Sequence, residues 1–167
     1  SDLERSGADL AGASGISVDI ETYGAGKGDG LDPWKGEIRL LSLCREGGPI
    51  WTLDLRAIGY DLGELKPILE TTEIIAHNAK FEIRFLRRFF VKYLSDDVGF
   101  GPEVTASNGL FQVLGDTMLE SYVVADHQRH GLKALTKEVF GHDQAEIFSL
   151  FPDLPKNREK KLRFNTL

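Results

Sequence analysis

The sequence predicts an α/β domain with a mixed β-sheet, in which an antiparallel hairpin is combined with parallel strands. Two observations predict this class. Residues 15–55 hold three strand-like segments, and the last two flank a Gly-Gly turn. From residue 61 onward helical and strand-like segments alternate, and strands separated by a helix usually pair in parallel.

Composition is consistent with one globular domain. The 167 residues are 41% hydrophobic and 28% charged, and no apolar run approaches the ~18 residues of a membrane span. The single Cys44 excludes an internal disulfide and a cysteine metal cluster, so a reducing, cytoplasmic setting fits. The net charge of −6 argues against a large, diffuse nucleic-acid footprint. It leaves open a small groove in which metal ions supply the positive charge.

The N-terminal third is predicted to contain an arm and three strands. Residues 1–14 are polar and small, which predicts a flexible arm. A first strand covers about 15–21, because apolar and polar residues alternate there. Residues 36–55 predict two strands around a tight turn. The glycine-rich segment 24–30 matches neither phosphate-loop spacing and is predicted to be a flexible surface loop.

Helices and strands then alternate. A helix is predicted over 61–70, with Asp61 as a possible cap, and a short buried strand over 73–77. Residues 78–94 predict a strongly amphipathic helix. Three phenylalanines form its apolar side and four basic residues largely take the other: Phe81, Phe85 and Phe89 against Arg84, Arg87, Arg88 and Lys92.

The C-terminal part is predicted to start with a loop over 95–109. A strand near 110–115 and a helix over about 116–127 follow. A further helix is predicted over 131–140, before a basic, poorly periodic tail, 153–167.

An unusual feature of the first strand is its pair of acids. Asp19 and Glu21 share one face while Ile16, Val18 and Ile20 share the other, since successive side chains alternate. One interpretation is a solvated strand face. However, aspartate forms strands poorly and neighbouring like charges repel. Mg²⁺ or Mn²⁺ bound by both carboxylates would offset that repulsion.

The order of the later motifs favours the metal site. VDIET, HNAKFE, DTMLESY and HGLKAL, in this order, resemble the DEDD-type 3′–5′ exonuclease domains of the ribonuclease H-like superfamily. The last two segments are most similar to the proofreading domain of family-A DNA polymerases, and LDPWKGEIRLLSL also resembles ribonuclease D-type enzymes. The resemblance covers roughly residues 15–167 and implies a ribonuclease H-like mixed sheet with flanking helices.

The resemblance implies the identity of three metal ligands. Asp19 and Glu21 match the first motif, and Asn78, Phe81 and Glu82 fall in the second. Glu82 departs from the family, which has Asp there. The implied chemistry is two-metal phosphodiester hydrolysis with Mg²⁺ or Mn²⁺. Asp19 would bridge both ions, Glu21 would hold one and orient the attacking water, and Glu82 would reach the second.

A fourth carboxylate is harder to assign. Tyr122 and Asp126 fit the family's last motif literally, yet Tyr122 belongs to DTMLESY, which precedes that motif. We therefore expect Tyr122 in the core, Asp126 at a helix end, and a chain that stops short of the fourth carboxylate and its C-terminal helix. Asp116 is expected to be a helix N-cap. A structural hydrogen bond is expected for His77, and His130 is expected to cap a helix or line a loop.

The 3′ end of a single-stranded nucleic acid is the implied substrate, with DNA favoured over RNA and a polymerase domain as a possible C-terminal neighbour. Asn78, Phe81, Tyr23 and Arg84 are candidates for binding it. The remaining cations of the helix and tail would contact phosphates or only water: Arg87, Arg88, Lys156, Arg158, Lys160, Lys161 and Arg163. Two alternatives stay open. One is a weakened or inactive module that binds nucleic acid or scaffolds a polymerase, and the other is a ribonuclease D-type exoribonuclease.

Overall fold

A five-stranded mixed sheet organises the protein. The structure is a computed structural model, and it describes residues 1–94 and 111–143. The strands have the order β3-β2-β1-β4-β5 across the sheet. Their bounds are Gly15–Tyr23 for β1, Glu37–Arg45 for β2, Trp51–Asp54 for β3, Glu73–Ala76 for β4 and Val113–Asp116 for β5. The β1–β2 and β2–β3 pairs are antiparallel, and β4 runs parallel to both β1 and β5. The predicted mixed sheet is confirmed.

Five α-helices are present among the described residues. They are α1 Asp2–Leu10, α2 Leu65–Thr71, α3 Ala79–Phe89, α4 Thr117–Val124 and α5 Leu132–Phe140, and a π-helical turn, Phe90–Leu94, follows α3. All except α1 lie where the sequence predicts a helix. The predicted loop 95–109 and the predicted tail 153–167 lie outside the described residues. The chain divides into two compact units, residues 1–119 and 120–167.

The two faces of β1 differ as the alternation predicts. Ile16, Val18 and Ile20 are each no more than 6% exposed, whereas Asp19 and Glu21 are exposed. The apolar face lies in one core with helices α1, α2 and α3, which contribute Leu10, Leu65, Leu69, Leu86 and Phe89. This burial fixes the register of β1, because a slip of one residue would place the acids in the core.

The N-terminus differs from the predicted flexible arm. Ser1 and Glu4 form a capping box that starts α1. Leu10 is fully buried in the core. The Asp9 carboxylate accepts hydrogen bonds from Arg45 at 2.8 Å and from Nε1 of Trp51 at 3.0 Å. These contacts tie residues 2–10 to the sheet.

One loop agrees with the prediction and another departs from it. Segment 24–30 leads into a 3-10 turn, Asp29–Leu31, rather than into an α-helix, which agrees with rejecting a phosphate loop. Asp61 accepts a hydrogen bond from the Gly63 N–H at 2.9 Å and does not cap a helix, because α2 starts only at Leu65. No helix among the described residues has the length and apolar character to cross a membrane.

Candidate active site

The two acids of β1 stand on the open face of the sheet. Antiparallel pairing with β2 sets Asp19 opposite Ser42 and Glu21 opposite Leu40. Partial desolvation by the surrounding protein raises the pKa of Asp19. The pKa of Glu21 is also raised, first by desolvation and then by the negative charge of Asp19. The charge of Asp19 therefore disfavours the ionisation of Glu21.

Glu82 is the buried member of the candidate set. It lies in the first turn of α3 and is 5% exposed. Its Oε2 atom is buried and has no hydrogen-bond partner among the described residues. The pKa of Glu82 is raised from 4.5 to about 7, mainly by burial. Its own backbone N–H opposes the shift, and the negative charges of Asp19 and Asp116 contribute to it. A buried carboxylate oxygen without a partner is costly and rare.

Asp116 holds the start of α3 in place. Its carboxylate accepts hydrogen bonds from the backbone N–H groups of Asn78, at 3.0 Å, and Ala79, at 2.9 Å. It also accepts two N–H groups from the first turn of α4. The predicted N-cap of α4 is thus confirmed, but the sequence analysis missed the bonds to Asn78 and Ala79. No local pattern reveals them, because 37 or more residues separate the partners.

Asn78 has an unusual backbone conformation. Its φ of 69° lies in the left-handed region, which asparagine tolerates better than most residues do. The bond from its N–H to Asp116 holds this conformation and turns the chain from β4 into α3. The same turn places Glu82 four residues further along the helix.

Both histidines make structural hydrogen bonds, which confirms the expectation for His77. Nδ1 of His77 lies 3.0 Å from the Thr117 hydroxyl. Within the second unit, Nδ1 of the buried His130 lies 2.8 Å from the Ser121 hydroxyl, and its ring stacks on Tyr122 with 3.5 Å between centroids.

The literal match to the family's last motif does not form a buried pair. Tyr122 is 49% exposed, so its predicted place in the core is wrong. Asp126 follows the end of α4 and is exposed, beside His127 at 3.5 Å.

The predicted strand-binding residues differ in how accessible they are. The side chains of Asn78 and Arg84 are exposed on α3 and its start. Phe81 is half-buried, with its ring centroid 4.9 Å from that of Phe85. The Tyr23 hydroxyl lies 3.1 Å from the hydroxyl of Tyr60, so it is engaged in an aromatic cluster. Asn78, Arg84 and part of Phe81 therefore remain available to a ligand.

The donor chemistry of the set suits a hard divalent cation. Asp19, Glu21 and Glu82 offer only carboxylate oxygens, which Mg²⁺ and Mn²⁺ prefer. The unpartnered oxygen of Glu82 and the raised pKa values of all three are the features that a bound cation would relieve. Among the described residues, however, no three such side chains converge closely enough to form a complete cation site.

Comparison with protein families identifies the domain. The model of the 3′–5′ exonuclease family, named after the DNA polymerase A exonuclease, matches residues 1–150. The chain belongs to the 3′–5′ exonuclease family. This match includes α1 and ends beyond α5, so both units contribute to it. A sequence comparison with curated proteins gives no match.

Solved structures share the fold of this exonuclease domain. NrnC of Brucella melitensis bound to pGG is 18% identical, with a TM-score of 0.61 over 83% of this chain and 58% of that one. The same protein with bound Mg²⁺ is 16% identical, with a TM-score of 0.59 over 83% and 59% of the two chains. RNase D of Trypanosoma brucei in complex with GMP is 14% identical, with a TM-score of 0.63 over 96% and 46%. These neighbours are DEDD exonucleases, so the predicted ribonuclease H-like fold is confirmed.

The chain spans less than two thirds of each of these structures: 59% and 58% of the two NrnC chains and 46% of RNase D. The likeness therefore covers only part of each of these structures. It shows the fold, and it leaves the substrate and the metal of this chain to be inferred from its own residues.

Proposed function

We propose that this chain is a metal-dependent exonuclease that removes nucleotides from the 3′ end of single-stranded nucleic acid. The family match supports the reaction class. The observation that carries the site is the buried, unpartnered Glu82 oxygen near the charge of Asp19, because a buried carboxylate in this position calls for a cation.

Asp19, Glu21 and Glu82 would hold the divalent ions, with two ions in a complete site. Mg²⁺ or Mn²⁺ in such a site supplies Lewis acidity, which activates water and neutralises charge on a transferring phosphate. The NrnC structure with Mg²⁺ supports this choice of metal class. Because no three described ligands converge, we expect weak binding of at most one ion by this chain.

The protein's own groups would position the 3′ nucleotide. Asn78, four residues before Glu82, and Arg84, two residues after it, are exposed and offer an amide and a guanidinium to a phosphate. Phe81 presents a partly open ring for stacking. Tyr23 would contribute only if its hydroxyl gave up the hydrogen bond to Tyr60 and bonded to the nucleic acid instead.

DNA is our first candidate substrate, because the matched family model is named after a DNA polymerase exonuclease. RNA is the second, since structural neighbours include RNase D. A third candidate is a weakened module that binds nucleic acid without cutting it, which the longer Glu82 side chain favours. One added methylene moves a carboxylate by about 1 Å, and such misplacement can cost about 10²-fold in rate.

A paired digest tests these candidates. Single-stranded DNA and RNA of one sequence, labelled at the 5′ end, are incubated with Mn²⁺ and the parent, Asp19→Ala, Glu82→Ala or Glu82→Asp. We expect slow shortening from the 3′ end, abolished by Asp19→Ala, reduced by Glu82→Ala and preserved or increased by Glu82→Asp. Asp126→Asn, an exposed acid, is the matched control and should leave the rate unchanged.

The pattern across substrates and variants decides between them. Shortening of RNA but not of DNA would support the exoribonuclease candidate. Binding of either strand without shortening, in the parent and in Glu82→Asp alike, would favour the non-cutting module. Equal rates for Glu82→Ala and the parent would show that the site is built without Glu82.

A further inference from the structure

Trp34 is a large aromatic residue that the fold holds in solvent. It is 66% exposed, and it follows β1 in the loop that leads to β2. The Asp32 side chain accepts a hydrogen bond from the Trp34 N–H at 2.9 Å. The Asp32 carbonyl accepts further bonds from the N–H groups of Lys35, at 3.0 Å, and Gly36, at 2.7 Å. Three hydrogen bonds to one residue thus fix the turn that carries the indole.

The same turn is closely packed at its end. A Cβ on Gly36 would lie 2.7 Å from the Asp29 carbonyl oxygen and 3.0 Å from Gly30 Cα, so only glycine fits there. Pro33 is buried beside it. The indole of Trp34 is therefore mounted on a rigid support, which lowers the entropy lost when a ligand packs against it.

The second tryptophan, Trp51, has a structural role that Trp34 lacks. Trp51 is half-buried against the core and donates its Nε1–H to Asp9 at 3.0 Å. The guanidinium of Arg5 lies 5.3 Å from its ring centroid. Trp34 has a similar cation partner, Arg88, at 5.0 Å, but it is not part of the core. Its exposure is the feature that folding does not explain.

Cations line the helix beside Trp34. Lys80, Arg84 and Arg88 recur every four residues along α3, which places them on one side of the helix over about 12 Å. Lys80 and Arg84 are exposed and form no ion pair with another described residue. This stripe begins two residues after Asn78, at the start of α3, and ends at Trp34. It is a local positive surface on a chain whose net charge is −6.

We propose that Trp34 and Arg88 form a stacking platform for a base of single-stranded nucleic acid, whose phosphates contact the stripe of Lys80, Arg84 and Arg88. Every base has an apolar face that can stack on an indole, and a guanidinium can stack or pair with phosphate. The flanking cations favour a polyanion over a protein partner. The inference rests on the proposed function, and it adds a contact for the strand away from the carboxylates.

Intrinsic fluorescence can detect this contact directly, because the chain has two tryptophans. A ten-nucleotide single-stranded DNA, and RNA of the same sequence, are titrated into the 167-residue chain in EDTA, so that no cleavage occurs. We expect quenching in the parent and in Trp51→Phe, and little quenching in Trp34→Phe. Anisotropy of a labelled strand should show binding about 5- to 100-fold weaker for Trp34→Ala.

A charge variant and a folding check complete the experiment. Arg88→Gln should weaken binding and lower the salt dependence of log K by about 0.7 per lost phosphate contact. Thermal melting should be the same for Trp34→Ala and the parent, because the side chain is outside the core.

Three results would overturn the platform. If the parent binds the strand and Trp34→Ala binds it equally well, the platform is wrong while the proposed nuclease function stands. If the parent binds neither strand, the platform is wrong, and the digest with Mn²⁺ decides separately whether the nuclease function stands. If Trp34→Ala instead abolishes self-association of the parent in sedimentation, the indole contacts a second copy of the chain and not a base.

Discussion

Replacing Glu82 with glutamine should stabilise the metal-free protein at high pH and have little effect at low pH. Burial raises the pKa of Glu82 from its ordinary 4.5 to about 7 in the folded state. Below pH 4.5 the carboxyl is protonated in both states, so its ionisation costs nothing. Between pH 4.5 and about 7 the unfolded state ionises this carboxyl while the folded state keeps it protonated, so stability falls as the pH rises. The loss is complete once the folded state also ionises, above about pH 7.

The expected size follows from the same values. Raising the pKa from 4.5 to about 7 corresponds to about 3 kcal/mol, at about 1.36 kcal/mol per pH unit. Glutamine has nearly the same shape and no charge. The free energy of unfolding of Glu82→Gln, relative to the parent, should therefore rise by about 3 kcal/mol between pH 4 and pH 8.5.

Urea unfolding in EDTA, repeated across this pH range, measures the difference. Glu46→Gln, an exposed glutamate in the turn between β2 and β3, is the matched control and should follow the parent at every pH. Curves for Glu82→Gln and the parent that stay parallel from pH 4 to 8.5 would refute the reasoning. They would mean that Glu82 is solvated or paired in solution.

Three further changes test the packing around the site by urea unfolding. Asp116→Ala removes the hydrogen-bond acceptor at the N-termini of α3 and α4 and should lower the free energy of unfolding by about 2–3 kcal/mol. A loss below about 0.5 kcal/mol would show that water replaces the carboxylate as the acceptor. Leu10→Ala should cost about 2–5 kcal/mol because Leu10 is buried, whereas Leu31→Ala, at an exposed position, should cost little. Equal losses would show that residues 2–10 do not pack on the core in solution. Gly36→Ala should cost about 1–3 kcal/mol, because the added Cβ would meet backbone atoms. Gly131→Ala is the control and should cost less, because its Cβ would meet nothing within 4 Å. Similar losses for the two variants would argue against a rigid turn at Trp34.

Local patterns predicted the sheet and the acid pair well. The alternation along β1 correctly separated Ile16, Val18 and Ile20 from Asp19 and Glu21, because a two-residue period follows from strand geometry alone. The α3 helix was found for the same kind of reason. Its buried phenylalanines, Phe85 and Phe89, recur at helical spacing.

The errors have two sources: contacts between residues distant in sequence, and a short capping motif at the N-terminus. The capping box of Ser1 and Glu4 is visible in the sequence, but Asp9 is tied down by Arg45 and Trp51, 36 and 42 residues away. The bonds from Asp116 to the start of α3 are equally remote. Such pairings depend on which strands become neighbours, and no local period encodes that.

The electrostatics of the site also needed the three-dimensional arrangement. Spacing alone places Glu82 on α3, but only the packing shows that it is buried and that an oxygen lacks a partner. The resemblance to exonucleases predicted a metal ligand there. The structure adds the physical reason why a cation would stabilise it.

Calorimetric titration with Mn²⁺ at pH 8 tests the metal site most directly. We expect the parent chain to bind at most one ion weakly, and the Asp19→Ala, Glu21→Ala double variant to lose this heat. Glu82→Gln should bind more weakly than the parent, because a neutral amide replaces one carboxylate. Identical titration curves for the parent and the double variant would contradict a metal site at Asp19, Glu21 and Glu82, and with it the proposed chemistry.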